Sequence, residues 1–122
     1  MPTPSSRSAG ATYLDKEARV AKLRETAQTA RRREPSIDRM ILFGSLVRGV
    51  ATPRSDADIL VILLGSEIDR PVDRVPHILA AMSPLPCPVD LFVWTAEELR
   101  SAQREGAPFL REALDHGLDL LT

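Results

Sequence analysis

Two short apolar runs, Met40-Ile41-Leu42-Phe43 and Ile59 to Leu64, are separated by Gly44-Ser45 and, ten residues further on, by Asp56-Ala57-Asp58. Apolar runs of this length, rich in branched residues and bounded by turn formers, read as buried strands. One strand therefore ends in a small-residue turn that can hold phosphate. The next opens on a pair of carboxylates that can hold a divalent cation.

The carboxylate spacing carries the chemistry. Residues i and i+2 of a strand point to one face, so Asp56 and Asp58 are expected side by side. Like charges that close repel, and a bound cation relieves the repulsion. Hard oxygen donors favour Mg²⁺, with Mn²⁺ as the variant. An isolated Asp-x-Asp is more often a turn cap; its fixed distance from Gly44-Ser45 favours the ligand reading. A third strand is predicted over 88–94, with Asp90, Phe92 and Trp94 on one face and Val89, Leu91 and Val93 on the other. If this strand pairs beside the Asp56–Asp58 strand, three carboxylates converge at one sheet end. Ser45 stands where a short helix begins, so its hydroxyl and nearby N–H groups suit triphosphate oxygens. Arg48 either neutralises phosphate charge or is a solvated surface arginine; Arg54 reads as surface.

The remaining elements follow from periodicity and breakers. Residues 1–12 are rich in Ser, Pro and Ala and are expected to be a disordered tail, leaving a single domain over 13–122. A helix is expected over 14–33, with Val20, Leu23, Ala27 and Ala30 on one stripe. Glu34-Pro35-Ser36 stops it, and the first strand follows over 38–43. The short helix covers 45–49, and the second strand 57–64. A crossover helix starts between Val72 and Pro76, with Pro76 in its first turn and Val72, Val75, Leu79 and Met82 as its apolar side. Thr95-Ala96-Glu97-Glu98 is a capping box for another helix, ended by Gly106. Pro108 starts the next helix and Gly117 closes it, with a short last strand over 118–121. Strands and helices interleaved in this way give an α/β (α+β) fold, a small mixed sheet with helices packed against it.

Composition excludes several classes. With 43% hydrophobic residues the chain is globular, and a net charge of −1 gives no general attraction for nucleic acid. No apolar run is long enough to cross a membrane, and the N-terminus lacks a signal-peptide core. The lone Cys87 excludes an internal disulfide framework and fits a reducing cytoplasm. Cys87 and Trp94 read as packed residues, His77 and His116 as surface or packing groups, and Arg31-Arg32-Arg33 as a solvated helix end.

Gly44-Ser45, Arg48-Gly49, Ser55-Asp56-Ala57-Asp58 and Val89-Asp90-Leu91 together resemble the DNA polymerase beta-type nucleotidyltransferase superfamily, and within it the minimal nucleotidyltransferases. The tail, Gly106-Ala107-Pro108-Phe109-Leu110-Arg111-Glu112-Ala113-Leu114 with Gly117, is similar to that family's usual ending. The resemblance covers 38–121. It implies a polymerase beta-type fold and Mg²⁺ held by Asp56, Asp58 and Asp90. It also implies a nucleoside triphosphate, ATP, bound at Gly44, Ser45 and Arg48. Minimal nucleotidyltransferases typically pair with a helical HEPN-domain protein, often an RNase toxin that they neutralise. The implied reaction is transfer of AMP to a hydroxyl, a tyrosine of that partner, within a hetero-oligomer. Only about 30 residues follow the third carboxylate, too few for a deep acceptor pocket of the chain's own.

Two rival classes accompany this reading. The chain is a nucleotide-binding antitoxin that silences its partner by covering it, or it modifies an antibiotic or metabolite. The presence of every expected ligand disfavours the first, and the short chain disfavours the second.

Overall fold

The computed structural model describes residues 4–44, 47 and 57–122, with side chains from Lys16 onward. Helix α1 (Pro4–Arg33) leads into β1 (Ile37–Phe43), and β2 (Ala57–Leu63) precedes α2 (Pro71–Met82). Then come β3 (Val89–Thr95), α3 (Ala96–Glu105), α4 (Pro108–His116) and the two-residue β4 (Leu118–Asp119). The expected helix 45–49 and the loop carrying Arg54 lie outside the described residues, Val47 excepted.

The strands form one sheet in the order β3-β2-β1-β4. β1 runs antiparallel to β2 and β4, whereas β2 and β3 are parallel and joined through α2. The expected mixed sheet is therefore present, and its strands alternate as a sheet covered on both faces requires. Met40, Leu42, Ile59, Val61 and Val93 face one way and join Leu23, Ala27 and Ala30 of α1 with Ile78, Ala81 and Met82 of α2. Ile41, Phe43, Leu60 and Ile62 face the other way and meet Leu99 and Ala102 of α3 with Leu110 and Ala113 of α4. Each fully buried Leu or Ile in these layers contributes about 1.5–3 kcal/mol.

The helix ends follow their sequence signals. Thr95 accepts from the Glu98 N–H while Glu98 accepts from the Thr95 N–H, a complete capping box. Gly106 ends α3 in the left-handed region at φ 73°. Gly117 ends α4 for a different reason. A Cβ there would lie 2.1 Å from the Ala113 carbonyl oxygen and 2.4 Å from Ile41 Cγ2, so close approach to β1 demands glycine.

Three expectations change. α1 starts at Pro4, inside the segment expected to be a disordered tail; once a helix is nucleated, each further residue adds a hydrogen bond. Pro71 takes the position in the first turn of α2, and Pro76 lies one turn inside the helix. Either proline could have begun the helix, and the structure takes the earlier one. The buried side of α2 is Arg74, Ile78, Ala81 and Met82, while Val72 remains 60% exposed. Of the expected apolar side, Met82 is buried and Val75 packs against the core; the stripe is centred one position away, on Arg74 and Ile78, because its first inward member is an arginine.

Candidate functional site

β2 and β3 are in parallel register with Asp58 directly opposite Asp90. Adjacent strands lie about 4.8 Å apart, so the two carboxylates stand on neighbouring rungs. Both belong to the alternation that carries Leu60, Ile62 and Trp94 and therefore project to the face covered by α3 and α4. Asp58 is half-buried and Asp90 is exposed. The expected pairing of the third strand beside the second is thus present, and it places two of the three named carboxylates together.

Gly44 completes the described part of this corner. Phe43, the last residue of β1, pairs with Asp58. Gly44 follows at φ +82°, a conformation that glycine adopts without strain. A Cβ on Gly44 would lie 2.3 Å from Asp58 Oδ2. The turn backbone therefore lies against the carboxylate, and any side chain would displace it. Ser45, Arg48 and Asp56 lie outside the described residues.

The donor chemistry fits a hard divalent cation. Two carboxylates on one face, one of them open to solvent, offer oxygen ligands of the kind such a cation takes. No group of three or more His, Cys, Asp or Glu side chains gathers as a metal site among the described residues. The histidines take no part: His116 is exposed, and His77 Nε2 lies 2.5 Å from Glu34 Oε2, joining α2 to the end of α1.

Two features escaped the sequence. The first is an aromatic wall beside Asp90. Phe92 packs at ring-centroid distances of 5.7 Å on Phe43 and 5.5 Å on Phe109, and Phe109 in turn meets Trp94 edge-on at 5.5 Å. Phe92 and Trp94 were on the expected face; Phe109 comes from α4, and nothing local announces that contact. The second is Arg74, only 3% exposed. Its guanidinium donates to Glu98 Oε1 at 2.6 Å and Oε2 at 3.0 Å, and to the carbonyls of Ile68, Asp69 and Val93. The hydrogen bonds from Arg74 hold the Glu98 carboxyl below its ordinary value, against desolvation, with the Thr95 N–H assisting. The same bonds raise the Arg74 pKa. A stripe reading of Arg74, Ile78, Ala81 and Met82 would have found the inward arginine.

Comparison with known proteins adds three findings. A family model described as a nucleotidyltransferase domain matches residues 23–117. A solved structure described as a candidate nucleotidyltransferase from Sulfolobus solfataricus superimposes with a TM-score of 0.62 at 18% identity, covering 88% of this chain and 84% of that one; it shows likeness of fold. A structure described as a toxin-antitoxin with AMP-PNP superimposes with a TM-score of 0.55 at 26% identity, covering 80% of this chain and 71% of that one. No curated protein matches the chain.

Proposed function

The chain belongs to the nucleotidyltransferase-domain family, and on that premise we propose that it transfers AMP from ATP to a hydroxyl on a protein partner, acting as an antitoxin. The acceptor is a tyrosine of a HEPN-domain toxin. The observation that carries the reading is the pairing of Asp58 with Asp90 on one sheet face, against the backbone of Gly44. The likeness to a toxin-antitoxin structure holding AMP-PNP supports the adenine nucleotide and the toxin partner. Among the described residues no helix is long and apolar enough to cross a membrane.

Each residue has a task in this reading. Gly44 and Ser45 receive the phosphate chain on backbone N–H groups and a hydroxyl, and Arg48 balances its charge. Asp56, Asp58 and Asp90 would hold a divalent cation, Mg²⁺. When bound, that cation supplies positive charge to phosphate oxygens that gain negative charge in the reaction. Asp90, the exposed carboxylate, accepts the proton of the acceptor hydroxyl. The hydroxyl oxygen then bonds to the α-phosphorus, the bond from that phosphorus to the bridging oxygen breaks, and pyrophosphate leaves with its electron pair.

Intact-mass spectrometry of the protein encoded by the adjacent gene, after incubation with this chain and Mg·ATP, tests the proposal. A mass increase of one AMP is expected, and it should vanish with Asp58→Asn. No adduct, together with equal protection of cells by the wild type and by Asp56→Ala/Asp58→Ala, would establish silencing by binding alone. Labelling of a small molecule in place of the partner would establish the third class.

A further inference from the structure

Among the described aromatic side chains, Phe92 alone is exposed, at 37%. An exposed apolar residue means little by itself. Phe92 differs in being held. Its ring meets Phe43 at 5.7 Å and Phe109 at 5.5 Å, and those two meet each other at 6.3 Å. Phe43 is buried and Phe109 half-buried. Three rings in mutual contact thus support the one that is left open, and its orientation is set by packing before anything binds.

The position of this ring gives it a context. Phe92 and Asp90 are two residues apart on β3 and share the face covered by α3 and α4, with their Cα atoms about 6.6 Å apart. Asp90 is exposed as well. β3 is an edge strand, paired with β2 on one side and with no strand among the described residues on the other. The Gly44 turn lies against Asp58, on the inner side of Asp90. An open ring and an open carboxylate at a free sheet edge, away from the Gly44 turn, suit a ligand with an apolar body and a hydroxyl at its tip. A phenol is such a group. An aliphatic hydroxyl offers Asp90 the same proton but leaves Phe92 uncovered.

We propose that Phe92 is a specificity-determining residue for the acceptor, whose phenolic ring it seats while the phenol hydroxyl meets Asp90. The inference rests on the transfer reading above, and gives the choice of a tyrosine over an aliphatic hydroxyl a physical basis in this chain. The Phe43 and Phe109 rings already hold Phe92, so stacking on it orders little of the protein. An aromatic pair contributes beyond the area it buries. Leucine should therefore not replace Phe92, and tyrosine should.

Proton NMR titration of the full chain with N-acetyltyrosinamide and with N-acetylserinamide tests this. In the wild type the Phe92 ring protons should shift with the tyrosine amide, and the serine amide should bind at least about threefold more weakly. Phe92→Leu should weaken the tyrosine amide about three- to tenfold, the size of one aromatic pair, and Phe92→Tyr should retain it. Calorimetric titration with Mg·AMP-PNP should give the wild-type affinity in both variants. Equal wild-type affinity for the two amides overturns the proposal, as does a Phe92 ring that stays unshifted while other groups move. Undiminished binding of the tyrosine amide by Phe92→Leu overturns it too. So does a loss of Mg·AMP-PNP affinity in Phe92→Leu, which would make the ring a seat for the base or a support of the fold. If the wild type itself fails to bind Mg·AMP-PNP, the transfer reading fails, and the amide comparison still judges the ring seat on its own.

Discussion

At the start of β2 and β3, Asp58 faces Asp90 across the ladder. Beyond the far end of β3, Arg74 and Glu98 close an ion pair at 2.6 Å. The first place sets like charges side by side and leaves one open to water. The second surrounds a buried cation with a carboxylate and three backbone carbonyls, so that little of its hydrogen-bonding capacity is left over. A charge that is matched internally has no need of a ligand, and it ties α2, β3 and α3 together. Two carboxylates facing one another across a ladder can share a cation, which removes any repulsion between them. The same sheet is thus clamped at one end and left receptive at the other.

Substitutions can break that contrast. Asp90→Asn should have the largest effect. Transfer should fall about a thousandfold or more, equivalent to several kcal/mol, while the urea midpoint stays level or rises because a like charge is gone. A stability loss as large as the activity loss would make Asp90 structural. Arg74→Met should do the reverse. It strands Glu98 and three carbonyls and should cost about 3 kcal/mol in urea denaturation. Nucleotide affinity measured well below the midpoint should stay near the wild-type value. A Gly44→Ala chain should lose about 1–2 kcal/mol through its left-handed backbone. It should also lose transfer, because the new methyl group displaces the Asp58 carboxylate.

The smallest effect is that of pH. Hydrogen bonds from His77 and then Ser36 lower the Glu34 carboxyl, as those from Arg74 lower Glu98, each from an ordinary 4.5. A lowered folded-state pKa means stability that is fully present above the unfolded value and is lost as pH falls through the folded one. Urea midpoints should therefore decline in acid below about 4.5, and Glu98→Gln should flatten part of that decline. The Glu98 side chain is 35% exposed, so water screens the contribution and keeps it below that of Arg74→Met. An unchanged acid limb in Glu98→Gln would leave the clamp resting on Arg74 and its carbonyls alone.

Much of this was legible locally. The Thr95–Glu98 box and the glycine after α3 were readable because caps are satisfied by neighbours within a few residues. The faces of β3 followed from strand alternation alone, and that alternation put Asp90 with Phe92 and Trp94. The Asp58–Asp90 pairing was foreseen only on condition that β3 joined β2; a period of two fixes which face a residue occupies, not which strand lies beside it.

What the chain determined by itself is therefore the described strands and most of the helices, the capping box and glycine stop of α3, and the face that Asp58 and Asp90 share. These depend on neighbours within a turn or a pleat. The tertiary structure alone decided which proline begins α2 and that Arg74 turns inward to meet Glu98, 24 residues away. It alone placed Phe109 against Phe92, and the Lys16 ammonium on the Val47 carbonyl. Each of these contacts joins distant segments, and its energy exists only once the sheet has brought them together.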